Sequence, residues 1–307
     1  MNKDSKIFVA GHSGLVGSAI MRKLNAGGYH NVITRTHSDL NLIDKASVDM
    51  FFEEEKPEYV FMAAAKVGGV HANNTYRADF IYENLMMQTN VIHSAYVNKV
   101  KKLLFMGSNC LYPTLTALPI KEEYLLAGKL EKTTEAYAIA KIAGIKMCQA
   151  YRQQHGCNFI SVLPVNLYGT GDNYNLETSH VMPALLKKFK QAVFNNSEYV
   201  EVWGSGLSRR EFMNSDDMAD ACLFCMLNYN DADPINIGTN EDISIADLAR
   251  LLKEISGFKG YIRNDLSKPD GTHSKMLDIS KLQNLGWKHK ISLREGIINA
   301  YKEVKVY

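Results

Sequence analysis

The chain has 307 residues, of which 46% are hydrophobic and 22% are charged, enough for one large or two modest globular domains. Its 35 basic and 33 acidic residues leave a formal net charge of +2, which argues against nucleic acid or a membrane surface as a partner. No apolar run approaches the roughly 20 residues of a membrane span, and the polar residues 1–6 lack the layout of a signal peptide. Five cysteines without framework spacing favour a reducing cytoplasmic location.

Strand-like and helix-like segments alternate through the first half of the chain. Short β-rich apolar runs predict five strands, at residues 6–10, 31–34, 59–62, 103–106 and 158–163. Helical spacing of apolar residues predicts helices at 15–26, 45–55, 80–98 and 135–155. This alternation is typical of a parallel sheet covered by helices on both faces, so the predicted fold class is α/β, a Rossmann-type doubly wound parallel sheet.

The pattern changes after Pro164. Residues 166–180 are rich in loop-forming residues, and a helix at 182–194 and a strand at 200–202 follow. A strand at 235–237 and a helix at 244–255 are predicted further on. We therefore expect an NADP-binding domain over 1–165, to which part of 214–240 returns, and a smaller C-terminal α/β substrate lobe made of 166–213 and 241–307.

Two cysteines in this region form a Cys-x-x-Cys pattern. Cys222 and Cys225 lie in an apolar stretch with no second ligand pair nearby. We therefore predict buried helix thiols rather than a redox pair, and no metal site.

A glycine-rich loop follows the first predicted strand and opens the first predicted helix. In the pattern Gly-x-x-Gly-x-x-Gly, the glycines allow a tight turn, the approach of a pyrophosphate to the backbone, and close packing of helix on strand. The pyrophosphate would lie at the positive end of the helix dipole. Three glycines can also build a simple turn, but this position in an alternating chain favours a dinucleotide site. The loop consists of Gly11, His12, Ser13, Gly14, Leu15, Val16 and Gly17.

A tyrosine and a lysine are placed four residues apart on one predicted helix. Tyr137 and Lys141 share a helical face, where the ammonium is expected to lower the phenol's pKa from about 10. The phenol would then exchange a proton with a carbonyl or alcohol. Ser108 follows the fourth strand, at the sheet edge where such folds bind ligands, and could hydrogen-bond the same oxygen.

These motifs together resemble the extended short-chain dehydrogenase/reductase family. The similarity is greatest to members that epimerise and reduce a GDP-linked 4-keto-6-deoxy-mannose, and it covers nearly the whole chain. It rests on the glycine loop and on residues 63–69, 73–76, 107–113, 137–144, 166–169, 179–181, 203–206 and 268–272.

The resemblance implies roles for five catalytic residues. Cys110 would be the base and His180 the acid that invert the carbons beside the C4 ketone. Ser108 and Tyr137 would stabilise the enolate oxygen, which Tyr137 later protonates while NADPH supplies hydride. Lys141 would also bind the nicotinamide ribose.

The resemblance also implies binding residues and a homodimer. Lys188 and Arg210 would pair with the diphosphate, Trp203 would pack on the base or ribose, and Asp278 would accept a hydrogen bond from a hydroxyl. Cofactor contacts are expected from the glycine loop and from Arg35, His37, Ser38, Asp39, Leu40, Asn41, Leu42, Met106, Gly107, Ser108, Asn109, Lys141, Pro164, Val165, Asn166, Leu167 and His180.

The chain departs from the family pattern where the cofactor is distinguished. Ser13 and His37 stand where the family usually carries arginines that contact the 2′-phosphate of NADP, although Arg35 remains nearby. No acidic residue follows the second strand directly, as would favour NAD, so NADP(H) is the expected cofactor. Asn109 replaces a serine and keeps a hydrogen-bonding side chain.

Three functions remain open at this point. The first is an epimerase/reductase that forms GDP-L-fucose, and the second is a sibling enzyme that forms GDP-L-colitose or a GDP-linked 6-deoxyheptose. Loop residues near Asn73 and Thr178 would decide between these two. The third is a non-catalytic, cofactor-binding regulator, which has no need for the full set of five catalytic side chains.

Overall fold

The computed structural model describes residues 1–268, 270 and 274–305, and it confirms the predicted α/β class. The strands are β1 (Ile7–Ala10), β2 (Val32–Ile33), β3 (Tyr59–Met62), β4 (Lys102–Met106), β5 (Phe159–Pro164), β6 (Asn166–Tyr168), β7 (Tyr199–Trp203), β8 (Arg209–Asn214), β9 (Ile235–Ile237), β10 (Asp242–Ser244) and β11 (Tyr261–Asp265). The α-helices are α1 (Leu15–Ala26), α2 (Lys45–Glu55), α3 (Val70–Thr75), α4 (Arg77–Val97), α5 (Glu135–His155), α6 (Val181–Phe194), α7 (Ser215–Asn228), α8 (Ile245–Ser256), α9 (Ser280–Asn284) and α10 (Leu293–Glu303).

Six parallel strands form the central sheet, in the order β2-β1-β3-β4-β5-β9. Every residue of β1, β4 and β5 is buried, because helices cover both faces of a doubly wound sheet. Helices α1, α2 and α5 begin and end at the predicted residues, whereas α4 begins three residues earlier than predicted. The strand β9 returns to the edge of this sheet beside β5, as expected for part of 214–240.

A second group of elements packs around its own hydrophobic cluster. Strand β8 pairs parallel with β6 and antiparallel with β10, and β7 pairs parallel with β11. Tyr168, Phe189, Phe212 and Leu248 are among the buried residues of this cluster. We propose the same division as the sequence, with a cofactor domain over 1–165 plus part of 214–240 and a substrate lobe over 166–213 and 241–307.

Several short elements were not predicted. Loop-forming residues were expected to dominate 166–180, but β6 forms at the start of this segment because Asn166 and Leu167 pair with Phe212 and Met213 of β8. Such three-residue pairings have no local pattern, and neither does the six-residue helix α3. Cys222 and Cys225 are fully buried in α7, which confirms that they are packed helix thiols.

The described residues include neither a membrane-spanning helix nor a cluster of metal ligands. No helix there is long and apolar enough to cross a bilayer. Within the same part of the chain, no three histidine, cysteine or acidic side chains cluster as metal ligands would.

Candidate active site

A cavity of about 530 Å³ opens at the carboxyl ends of β1, β3, β4 and β5. This is the edge at which parallel α/β sheets bind ligands. Most of the predicted cofactor residues line it, together with four of the five predicted catalytic residues. These lining residues are Gly11, His12, Ser13, Gly14, Leu15, Val16, Gly17, Arg35, His37, Leu40, Leu42, Met106, Gly107, Ser108, Asn109, Tyr137, Lys141, Pro164, Val165, Asn166, Leu167 and His180.

Three predicted cofactor residues lie outside this lining and make local contacts. The Ser38 hydroxyl is 2.8 Å from that of Thr36, and the carboxylate of Asp39 accepts hydrogen bonds from Thr36. The Asn41 side chain accepts the Ile43 N–H at 3.1 Å. These side chains shape the turn that follows β2, and their contact with a cofactor stays a prediction.

The glycine loop has the geometry that its spacing predicts. Gly11 adopts a φ of +83°, and a Cβ there would lie 2.6 Å from the backbone nitrogen of Ala64. A Cβ on Gly17 would collide with the carbonyl of Gly11. A Cβ on Gly14 would make only an ordinary contact with that carbonyl oxygen, at 3.6 Å, and Gly14 precedes the uncapped start of α1. Nδ1 of His12 is buried without a hydrogen-bond partner in the described part of the chain. An anion-accepting backbone and an unused polar atom fit a dinucleotide pyrophosphate.

Arg35 lines the cavity and is already engaged in an ion pair. Its guanidinium donates to Glu55 at 2.5 Å and to the Thr34 carbonyl at 2.8 Å. Lys6 also contacts Glu55, at 2.6 Å. The Glu55 carboxylate would therefore compete with the 2′-phosphate of a cofactor for Arg35, and the sequence did not reveal this ion pair.

Ser108, Tyr137 and Lys141 all line the cavity. Lys141 is 2% exposed, and its ammonium lies 4.5 Å from the ring centre of Phe105. Burial lowers the pKa of Lys141 to about 7 and raises the pKa of Tyr137. The expected lowering of the Tyr137 pKa is therefore wrong for this structure, because burial and the charge of Cys110 both raise it. A protonated phenol is the form that donates a proton during reduction.

Cys110 lies beside this group without lining the cavity. It sits in a short 3₁₀ turn (Asn109–Leu111), where its N–H donates to the Ser108 hydroxyl at 3.3 Å. Burial raises the pKa of the Cys110 thiol, while the Ser108 hydrogen bond and the cations of Lys275 and Lys141 lower it. A thiolate at this position therefore depends on its polar and cationic neighbours.

Lys275 is a buried cation that sequence reasoning missed. It is 8% exposed and lies close enough to Cys110, Arg210 and Glu131 to interact electrostatically with each. Burial lowers its pKa. Lys275 lies in no strand or helix that the sequence predicts, so only the folded structure shows that it is close to Cys110.

His180 precedes α6 and faces the cavity. The side chain is accessible to solvent, yet the protein around the cavity lowers the pKa of the imidazole through desolvation. The position at a helix N-terminus also disfavours the charged ring. The structure thus brings His180 to the same cavity as Tyr137 and Lys141, which lie far away in sequence.

The predicted diphosphate and base contacts lie in the second lobe, outside the cavity lining. The Lys188 ammonium donates to the Glu201 carbonyl at 2.9 Å and lies 5.3 Å from the Trp203 ring centre. Trp203 is 53% exposed, and the Lys268 ammonium is also 5.3 Å from its ring centre. An exposed indole flanked by two cations suits an anionic, aromatic ligand. Of the expected motif at 268–272, residues 269, 271 and 272 lie outside the described residues.

Arg210 and Asp278 have different surroundings. Burial lowers the pKa of Arg210, whose guanidinium donates to the Arg209 carbonyl at 2.6 Å. The carboxylate of Asp278 accepts the Ser280 N–H at 2.8 Å where α9 begins, and its carbonyl accepts from Asn236 at 3.0 Å. The structure does not bring Asp278 to the cavity, and its contact with a substrate hydroxyl stays a prediction.

Further cavity residues were not assigned to the catalytic, cofactor or substrate sites by the sequence reasoning. Asp172 is one of them, and burial raises its pKa to about 7. Residues 63–65 directly follow β3, and the residues that directly follow β1 and β4 also line the cavity. Their position after a strand was therefore a signal by which the sequence could have identified 63–65 as cavity residues. The others are Phe8, Ala10, Ala63, Ala64, Ala65, Val67, Gly68, Met87, Gly171, Asn173, Thr178 and Ser179.

Known proteins resemble this chain over nearly its full length. The NAD dependent epimerase/dehydratase family matches residues 7–238. GDP-L-fucose synthase 1 of Arabidopsis thaliana is 56% identical over 300 residues, covering 98% of this chain and 93% of that protein. GDP-L-fucose synthase of Escherichia coli K12 is 48% identical over 306 residues, covering 97% and 95%.

Enzymes named for other sugars are also similar, at lower identity. GDP-L-colitose synthase of Yersinia pseudotuberculosis is 35% identical over 294 residues, covering 95% of each chain. The GDP-mannoheptose C4 reductase of Campylobacter jejuni, solved with NADP bound, is 43% identical with a TM-score of 0.92, covering 98% of each chain. The chain therefore belongs to the NAD dependent epimerase/dehydratase family, the extended short-chain dehydrogenases/reductases, and within it to the group that includes the GDP-L-fucose synthases.

Proposed function

We propose that this protein converts GDP-4-keto-6-deoxy-mannose to GDP-L-fucose, by inversion at C3 and C5 and reduction at C4. The observation that carries the proposal is that Ser108, Tyr137, Lys141 and His180 line one cavity with the glycine loop, while Cys110 adjoins Ser108. A regulator that only binds cofactor has no use for this arrangement.

Inversion needs a base and an acid beside the sugar ring. A C4 ketone acidifies the C–H bonds at C3 and C5, so the Cys110 thiolate removes a proton and leaves an enolate. Ser108 and Tyr137 donate hydrogen bonds to the enolate oxygen, as an oxyanion site does. His180 returns a proton from the opposite face, which inverts the carbon.

Reduction uses the same oxygen. The bound nicotinamide cofactor supplies a hydride to C4. Tyr137 gives its phenolic proton to the C4 oxygen, and Ser108 holds that oxygen in place. Lys141 lies one helical turn from Tyr137, where it would bind the cofactor ribose, and its ammonium stabilises the phenolate that remains after the proton transfer.

We propose NADP(H) as the cofactor, with a preference weakened by Glu55. Arg35 is the cation nearest the expected 2′-phosphate, but Glu55 pairs with it. We expect NADPH to be favoured over NADH in kcat/KM, and Glu55→Gln to increase that ratio several-fold, because a charge-assisted phosphate contact is worth about 1.5–3 kcal/mol. The neighbouring exposed Glu54→Gln is the matched control. An NADH preference in the unmodified enzyme would contradict the cofactor assignment.

We propose that the second lobe binds the GDP moiety. Lys188 and Arg210 contact the diphosphate and Trp203 the base or ribose; in support, Lys188 and Lys268 each place an ammonium 5.3 Å from the exposed indole. We further propose that Asp278 accepts a hydrogen bond from a hydroxyl of the ligand.

Lys275→Met tests how Cys110 becomes a base. Because the Lys275 cation lowers the thiol's pKa and burial raises it, removing the cation raises that pKa further. We expect the pH profile of C3/C5 proton exchange to move to higher pH, with exchange at pH 7 reduced about tenfold. The exposed Lys288→Met should leave the profile unchanged. An unmoved profile in Lys275→Met would show that the cation does not tune the thiol.

GDP-L-colitose and GDP-6-deoxyheptose formation are the alternative functions. The identities of 56% and 48% to the GDP-L-fucose synthases of Arabidopsis thaliana and Escherichia coli, against 35% to the colitose enzyme, favour fucose. The test is to incubate the protein and NADPH with GDP-4-keto-6-deoxy-mannose, its 3-deoxy analogue and a heptose analogue, and to identify each product by NMR. A clear preference in kcat/KM for either analogue would replace the proposal.

We also propose a cytoplasmic homodimer. All five cysteines are free thiols, as in a reducing compartment. On the adjacent helices α4 and α5, Tyr82 is 58% and Ile139 is 44% exposed, so these helices offer apolar surface to a second copy. Light scattering at micromolar concentration measures the oligomeric state.

A further inference from the structure

Two loops that are far apart in sequence form one wall of the cavity. The N–H of Gly69 donates to the Thr178 carbonyl at 2.8 Å. A Cβ on Gly69 would lie 2.5 Å from the Ser179 carbonyl oxygen, so only glycine allows this approach. Gly68, Thr178 and Ser179 line the cavity. The loop around 68–69 is therefore packed directly against the backbone that leads into His180.

The side chain of Asn73 holds the first of these loops, residues 68–69, in place through hydrogen bonds. Its side chain is 5% exposed, and its amide Nδ2 donates to the carbonyl oxygens of Gly68 at 2.7 Å and Gly69 at 3.2 Å. The Asn73 N–H also donates to the Gly69 carbonyl, at 3.1 Å. Fixing both carbonyls fixes the peptide planes, and this aims the Gly69 N–H at Thr178.

The second loop is braced on its own side. The Asn175 side chain accepts the N–H groups of Glu177 at 2.9 Å and Thr178 at 3.3 Å. The Asn173 amide donates to the Thr178 hydroxyl at 3.0 Å. Thr178 is thus held by its own loop and by Gly69, and a change at Gly69 is transmitted to the next residues.

His180 follows this braced segment immediately. It is in extended backbone conformation, with φ of −76° and ψ of 170°, and α6 begins at the next residue. The direction of its imidazole therefore depends on where the backbone of 178–179 lies.

We propose that Asn73 is a positioning residue for proton return by His180, acting through Gly68–Gly69 and then Thr178–Ser179. The inference rests on the proposed function, in which His180 is the acid that completes inversion. Displacement of a catalytic group by about 1 Å can cost about a hundredfold in rate. Asn73 does not line the cavity, so it would affect the reaction only through the positions of the residues that it holds.

The test compares Asn73→Ala with Asn74→Ala on the same helix. Asn74 is exposed, and its side chain accepts a hydrogen bond from Arg77 at 2.5 Å. With GDP-4-keto-6-deoxy-mannose and NADPH in deuterated water, Asn73→Ala should form at least tenfold less fully inverted product. Deuterium uptake at C3 and C5, which needs Cys110, should stay within about threefold. Asn74→Ala should match the unmodified enzyme.

A double-mutant cycle with His180→Asn separates positioning from general damage. If Asn73 acts through His180, Asn73→Ala costs nothing further in the His180→Asn background. An equal loss in both backgrounds would overturn the inference. If Asn73→Ala does not fold, Gly69→Ala applies the same displacement from the other partner and should give the same loss of inversion. Gly69→Ala with normal inversion would likewise overturn it.

The cycle also distinguishes the two levels of proposal. If His180→Asn inverts its substrate normally, the acid assignment and the inference about Asn73 are both wrong. If His180→Asn is impaired while Asn73→Ala behaves like Asn74→Ala, only the inference about Asn73 is wrong.

Discussion

Tyr137→Phe is expected to reduce turnover of the keto-sugar by about a thousandfold, since general acid catalysis by a positioned side chain contributes about 10²–10⁴-fold. The structure leaves Tyr137 protonated at neutral pH, because burial raises its pKa, so the phenol is the proton donor for the C4 oxygen. The measurement is NADPH oxidation under saturating substrate.

Cofactor affinity is the internal control for this variant. The glycine loop is untouched by the loss of one hydroxyl, so the Kd for NADPH should stay within a few-fold. Tyr261→Phe, an exposed tyrosine of β11, is the matched substitution and should turn over normally. Turnover near that of the unmodified enzyme in Tyr137→Phe would remove this residue from the chemistry.

Cys110→Ser is expected to lower exchange of the C3 and C5 protons with solvent deuterium by at least about a hundredfold. A serine hydroxyl occupies nearly the same space, but it ionises far less readily than a thiol and cannot serve as the base. The reductase group of Ser108, Tyr137 and Lys141 remains, so uninverted keto-sugar should then be reduced directly. NMR of deuterium uptake and of product stereochemistry measures both effects.

A second cysteine provides the comparison for Cys110→Ser. Cys157 is also a partly buried free thiol but lies outside the cavity lining, so Cys157→Ser should exchange and invert normally. If Cys110→Ser exchanges at the unmodified rate, Cys110 is a packed thiol and another base performs the inversion.

The sequence by itself determined the fold class and the edge of the sheet, at the carboxyl ends of the strands, at which ligands are expected to bind. Long periodic segments such as α1 and α5 were predicted with their observed ends, because amphipathic spacing and breaking glycines are local signals. The glycine loop was equally readable, since Gly11 and Gly17 are required by backbone conformation and close approach. Short pairings such as β6 with β8 gave no local signal and were missed.

The tertiary structure alone decided how the candidate site is tuned. Burial reversed the expected direction of the Tyr137 pKa, because desolvation depends on all the surrounding atoms. Glu55 beside Arg35 and Lys275 beside Cys110 are contacts between segments distant along the chain, which no spacing rule contains. The same holds for Asn73 and Thr178, which the fold joins through Gly69. Local sequence therefore specified which chemical groups are present, and long-range packing set their charge, distance and direction.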